Sequence, residues 1–152
     1  MAELFEFGWF TSHAGLHLPF KIDCDALTDD TLRGIAKMLR WKFAFSEVHA
    51  VPSDETLPRT PAGPRLARIL REEFTLVAGY PPLIVDDVLT TGMSMEEART
   101  EVMRDRPSVM APIGFVIVSR APQDGAAVSQ PTWVHALMRV EQWAQSPATG
   151  IG

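Results

Sequence analysis

Apolar and polar positions along the chain fall into blocks of two different periods. From Thr28 to about Phe45, the residues Leu32, Ile35, Ala36, Leu39 and Phe43 recur at three- and four-residue steps, with Arg33, Lys37 and Arg40 between them. That spacing predicts an amphipathic helix. Thr28 can cap it, Asp29 and Asp30 suit its positive end, and the three basic residues read as a solvated face. A second helix is expected around Pro64, which fits a first turn, with Leu66, Ala67, Leu70 and Phe74 as its apolar stripe. A third is expected from Ser94 to Arg106, where Ser94 and Glu97 have capping-box spacing, Ala98, Val102 and Met103 face inward, and Pro107 follows the end. Other blocks are short and continuously apolar. Val48 to Pro52, Leu83 to Val85 and Pro112 to Arg120 read as buried strands. Trp133 to Val140 fits either period, because Trp133, Ala136, Leu137 and Val140 also have helical spacing. Met1 to Asp25 sustains no period and is expected to be an irregular arm. Ser146 to Gly152 is expected to be a disordered tail. Strands alternating with helices predict an α/β fold, a mostly parallel central sheet with helices on both faces.

Composition changes this picture little. With 152 residues, 46% of them hydrophobic, the chain suits one domain with a sizeable core. One cysteine, Cys24, permits no internal disulfide, and no apolar segment is long enough to span a bilayer or serve as a secretory signal. A cytoplasmic setting is therefore expected, without membrane association. The formal net charge of −5 disfavours nucleic-acid binding, so an anionic ligand would have to be held by local loops and single arginines.

The candidate chemistry lies where the apolar run Leu83-Ile84-Val85 is closed by Asp86 and Asp87 and followed by Val88, Leu89, Thr90, Thr91, Gly92, Met93 and Ser94. A strand, a tight hydroxyl-bearing loop and a helix start in succession form an anion cradle. Gly92 allows close backbone approach, and the unpaired amides of the first helical turn point into the same space. The two aspartates could accept hydrogen bonds from a sugar diol or hold a hydrated magnesium ion. Together they suggest a phosphorylated sugar as ligand. A buried strand with an ordinary capped helix is the plainer account, and a receiver domain can also contain a strand ending in Asp-Asp. A Walker-type loop is excluded, since no Gly-Lys-Ser/Thr follows.

Four apolar residues, two acidic ones and then Thr-Thr-Gly-x-Ser resemble the phosphoribosyl-pyrophosphate (PRPP) signature of the type I phosphoribosyltransferases. The resemblance implies that Asp86 and Asp87 meet the ribose hydroxyls, and magnesium through water, while Thr90, Thr91, Gly92, Met93 and Ser94 bind the 5′-phosphate. Phe10-Thr11-Ser12-His13-Ala14-Gly15 with Pro19 and Asp23 is similar to the amino-terminal pattern of the orotate branch, although His13 stands where a lysine is common. His13 and His17 are read as surface histidines on a loop. Val118-Ser119-Arg120 followed by Gly125 resembles that branch's last substrate motif, implying that Arg120 grips the base. The alternative, that Arg120 merely tops a strand and meets solvent, is the less favoured reading. The resemblance also favours the strand reading for the segment before Glu141-Gln142-Trp143.

The middle of the chain departs from this family. Ala50-Val51-Pro52-Ser53 and Gly63-Pro64-Arg65 look like the two ends of the pyrophosphate turn, but residues 54–62 lengthen it into a loop with two prolines. Arg59 and Arg65 are the candidate pyrophosphate ligands, against the alternative that Arg59, Arg65 and Arg68 are solubilising surface residues. Between the helix that follows and the PRPP strand, the orotate enzymes place a further strand and a mobile lid, and only Arg71 to Pro82 stands here. The resemblance therefore implies magnesium, PRPP, a nitrogenous base such as orotate and a homodimer. No general base is identifiable. A noncatalytic PRPP- or nucleotide-sensing domain, or a subunit completed by a partner, fits the missing lid as well as an enzyme does.

Overall fold

Four parallel strands form the centre: β3 (Val48–Ala50), β4 (Leu83–Leu89), β5 (Ile113–Ser119) and β6 (Val134–Arg139), paired in that order. The computed structural model describes residues 5–11, 17–22, 24–51, 61–89, 92–104, 106, 110–119 and 133–139, with backbone alone in the first two spans. Leu83 pairs with Val48 on one side and Ile113 on the other, and Gly114 pairs with Val134. Leu83, Ile84 and Val85 are all fully buried. Unbroken burial of consecutive residues requires cover on both faces, and alternation of side chains sends Leu83 and Val85 into one apolar cluster and Ile84 into the other.

Helices supply that cover. In α1 (Asp29–Lys42) the Thr28 hydroxyl accepts from the Thr31 amide at 3.2 Å, and Leu32, Ile35, Ala36 and Leu39 are buried. In α2 (Ala62–Glu73), Leu66, Ala67, Ile69 and Leu70 join the same cluster, against Leu83, Val85, Phe115 and Ile117. Each buried leucine or isoleucine among them contributes roughly 1.5–3 kcal/mol. The opposite face is covered by α3 (Met93–Met103), whose Met95 and Val102 meet Ile84, Val116 and Val134. The chain thus steps from β3 to β4 through a helix on one face, and from β4 to β5 in the same direction through a helix on the other. Two such crossovers have opposite hands, so one of them is left-handed, against a strong general rule.

The connection from α2 to β4 is direct and tied down. The Val77 amide donates to the Phe45 carbonyl at 2.9 Å, the Ser46 amide to Pro81 at 3.1 Å, and Arg40 Nε to Thr75 at 3.0 Å. Gly79 turns the chain at a φ of 88°.

The amino-terminal segment corrects the expectation of an irregular arm. It holds β1 (Phe5–Thr11) and β2 (His17–Ile22), an antiparallel pair separate from the main sheet. Phe7 pairs with Phe20 but Phe10 with Leu18, so β1 carries an extra residue. That bulge breaks the period-two pattern that would have announced the strand. Pro19 is tolerated because each strand of a two-stranded sheet is an edge. The other strands and helices lie where the periodicity placed them, and Trp133 to Val140 resolves as β6. The expected tail and the segment 141–143 lie outside the described residues.

Candidate functional site

β4 does not end at its acidic pair. Asp86 is opposite Val116, Val88 opposite Val118 and Leu89 opposite Ser119, so the carboxylates are built into the strand's second half. This corrects the sequence expectation of a strand closed by them. Val88 and Leu89 are apolar, and pairing with β5 carries the strand past the acids.

The two aspartates occupy different environments. Asp86 is 7% exposed, and its Oδ1 accepts from the Asp87 amide at 2.7 Å. Burial, and then the charge of Asp87 and a side-chain hydrogen bond with it, push the Asp86 carboxyl up to about 9. It is therefore protonated near neutral pH. Asp87 is half-buried; its Oδ1 accepts from the Val88 amide at 2.7 Å and its carbonyl from Cys24 Sγ at 3.9 Å. A neutral acid that can donate, next to a carboxylate that accepts, matches the mixed donor and acceptor character of a vicinal diol.

Two other segments meet the pair. Gly63, in the first turn of α2, lies so close that a Cβ there would be 2.7 Å from the Val51 carbonyl oxygen and 3.4 Å from Asp86 Cα. Only glycine lets the helix approach so near. The helix's N-cap, Pro61, forms no side-chain cap, and the Ala62 amide instead donates to Asp25 Oδ1 at 3.1 Å. Asp25 belongs to a single 3-10 turn, Cys24–Ala26, seated by Cys24 against β4. One turn further on, Arg65 donates from Nη2 to Asp29 at 2.6 Å and to the Leu27 carbonyl at 2.9 Å, and from Nε to Asp29 at 3.2 Å. Its Nη1 reaches the Asp25 carbonyl at 3.5 Å. The candidate pyrophosphate arginine is thus engaged with the start of α1, and it holds the Asp29 carboxyl below its usual range.

Beyond β4, α3 begins earlier than expected. Its N-cap is Gly92, buried and left-handed at a φ of 86°, with no side-chain cap, and the Glu96 amide donates to the Gly92 carbonyl at 3.0 Å. This replaces the expected Ser94–Glu97 capping box, because Ser94 already lies in the first turn. Met93 and Ser94 are exposed there. Thr90, Thr91, Arg59, Arg120 and His13 lie outside the described residues. Ser119, which precedes Arg120, is buried beside Leu89 at the same end of the sheet as the aspartates.

Sequence reading missed Asp25, the close packing of Gly63 and the Asp29 partner of Arg65. Pro61 ahead of a helix, with no side-chain oxygen to cap it, was the available signal that an acceptor must come from elsewhere. It also missed Trp133, whose Nε1 donates to Glu96 at 2.8 Å beneath the Arg99 guanidinium, 5.3 Å from the ring centroid. An open groove of about 370 Å³ lies along α3 between Glu96, Arg99, Thr100, Met103 and Arg104, formed by its later turns rather than its start.

Among the described residues, no group of three or more His, Cys, Asp or Glu side chains could hold a metal ion. Asp86 and Asp87 alone form no metal cage; two carboxyl groups fit a hydrated ion carried in with a phosphate better than a resident one. No helix among the described residues is long and apolar enough to cross a membrane.

No protein-family model matches the chain, and no curated protein matches it in sequence. Solved structures do. The orotate phosphoribosyltransferase from Aeropyrum pernix is similar with a TM-score of 0.57 and 21% identity, over 90% of this chain and 88% of that one. The orotate phosphoribosyltransferase of Francisella tularensis is similar with a TM-score of 0.56 and 15% identity, over 90% of this chain and 80% of that one. The chain has a type I phosphoribosyltransferase-like fold.

Proposed function

We propose that the chain is a phosphoribosyl-binding protein that takes PRPP, or another 5′-phosphorylated ribose, at the carboxyl end of β4. The observation carrying this is the unequal pair Asp86 and Asp87 in the second half of β4, followed in the chain by a helix whose glycine N-cap brings no side-chain cap. Asp86 donates to one ribose hydroxyl and Asp87 accepts from the other. The amides at the start of α3, with Thr90, Thr91 and Ser94, hold the 5′-phosphate, since a helix amino terminus offers unpaired donors and a favourable dipole. Magnesium, when bound, neutralises charge on a diphosphate. Arg120 grips an acidic base such as orotate through its planar fork of donors. In transfer, the nitrogen of a base that has already lost its proton to solvent bonds to ribose C1 as the C1–O bond breaks, and the electron pair leaves with pyrophosphate. A homodimer in the cytoplasm is the assembly and setting this reading implies.

A second reading, a noncatalytic domain that senses PRPP or a nucleotide, is favoured by one observation. Residues 74–82 are bound to Phe45 and Ser46 by main-chain hydrogen bonds and to the Arg40 side chain, and they run straight from α2 into β4, where a leaving-group lid is expected from the resemblance.

Titration calorimetry with ribose 5-phosphate and PRPP, magnesium present, tests the shared premise. Binding abolished by Gly92→Asp is expected, because a carboxylate at the N-cap would meet the phosphate. No binding at millimolar ligand, or binding indifferent to that substitution, rejects the site. Arg120→Ala separates the base site from the sugar site: it should weaken an acidic base and leave ribose 5-phosphate unchanged.

A further inference from the structure

Among the described residues Trp41 is the most exposed large apolar side chain, at 90%. It stands in the last turn of α1, whose other side buries Leu32, Ile35, Ala36 and Leu39. Asp30, Gly34, Lys37 and Trp41 succeed one another at steps of four, three and four residues, so they form one exposed line down the side away from the core. The line runs along about 16 Å of helix. A single exposed apolar residue is ordinary, but here Met38 flanks Trp41, and at Gly34 the helix backbone lies bare: a Cβ there would meet nothing within 4 Å.

Charge is graded along the same helix, acidic in the first turn and basic in the last. Asp29 is engaged by Arg65, and Arg40 by the Thr75 and Phe43 carbonyls. Asp30 accepts from Arg33 at 3.1 Å, yet its side chain remains 94% exposed. Lys37 is exposed on the line itself. A second α1 laid antiparallel across the first, with a two-fold axis midway between Gly34 and Lys37, sets each Lys37 stem over the other chain's Gly34 and directs its ammonium toward Asp30. Each Trp41 then lies between the other chain's Asp30 and the bare backbone at Gly34. A parallel pair would instead oppose Asp30 to Asp30 and Lys37 to Lys37.

We propose that this face of α1 is a self-complementary interface whose occupant is a second copy of this chain, the two helices antiparallel. It gives the homodimer of the phosphoribosyl reading a surface, and because it rests on α1 alone its test needs no ligand. The indole, burying a large rigid area at the centre, sets the affinity; the exposed charge pairs at its rim set the direction.

Sedimentation velocity on the full chain, from micromolar to submillimolar concentration, tests this. A reversible dimer is expected. Trp41→Ala removes the anchor without touching the core and should weaken the dimer at least about tenfold. Lys37→Asp opposes carboxylates at both ends of the seam and should weaken it as well. Adding Asp30→Lys to Lys37→Asp restores the pairs with their signs exchanged, so the double variant should associate more tightly than either single one. A monomer throughout, which would leave the face to a different protein, overturns the proposal. So does a dimer indifferent to Trp41→Ala, or a double variant no tighter than the singles. Should a charge variant lose its helical circular dichroism, tryptophan emission decides: the difference between wild type and Trp41→Ala should move to shorter wavelength as concentration rises, and an unmoved difference overturns the interface.

Discussion

Asp86 and Asp87 are adjacent in sequence, yet only Asp86 is deeply buried. The consequence is a pH dependence of defined sign. The unfolded chain releases the Asp86 proton above about pH 4, while the folded protein keeps it until about 9. The folded state then binds more protons than the unfolded state, so this group's contribution is fully present below the usual carboxylate range and is lost as pH rises through about 9. The slope reaches about 1.4 kcal/mol per pH unit at most. Asp86→Asn should flatten that slope and be more stable than the parent at pH 8, measured by guanidinium midpoints at several pH values. A parent-minus-variant difference that does not change between pH 5 and 8 would refute the assignment. Glycines give a second contrast at this scale. Gly63→Ala pushes a methyl against the Val51 carbonyl and should destabilise by about 1–3 kcal/mol. Gly34→Ala, exposed within α1 and with nothing within 4 Å, should stabilise by roughly 0.5–1 kcal/mol. Thermal melts of the two variants should move in opposite directions. The acidic pair was legible in sequence because it interrupts an apolar run. Their unequal burial was not, because it depends on neighbours far along the chain.

Each helix start is solved differently, and that decided how much could be read from the sequence. For α1 the cap is local: Thr28 lies one residue ahead of the helix, so the sequence located it. Thr28→Ala should cost about 1 kcal/mol, readable as a lowered unfolding midpoint, with the ligand affinities unchanged. For α2 the cap comes from Asp25, 37 positions earlier, and no local pattern announces such a partner. For α3 the start is set by backbone conformation at Gly92, and the nearby Ser94–Glu97 pair imitated a cap two residues too late. β1 shows the same lesson in a strand, since one inserted residue between Phe7 and Phe10 was enough to erase its alternation.

At the scale of the molecule, the four-stranded sheet and its two covered faces followed from periodicity, while the short connection from α2 to β4 bears on what the protein would do with a sugar phosphate. On the phosphoribosyl reading, ground-state contacts to ribose and phosphate come from β4 and α3, whereas charge developing on a departing diphosphate would find Arg65 already engaged by Asp29. Binding and turnover should therefore come apart. Pyrophosphate release from PRPP and orotate is expected well below the rate usual for enzymes, on the order of 1 s⁻¹. Turnover at that rate, lost on Arg59→Ala, would show that the segment carrying Arg59 supplies the leaving-group contact.

The pair of opposite-handed crossovers bears on the chain's ancestry. If a strand once lay beyond the free edge of β3, the path from β3 through α2 would have moved outward to it and returned beneath the opposite face to β4. Both steps, and the one through α3, would then share the common hand with every helix on the face it occupies now. Excision of that outer excursion leaves α2 where it was and forces its exit directly into β4, producing the rare hand as a scar. On this account the short tether at residues 74–82 marks where sequence was removed, and β3 is an interior strand that became a border.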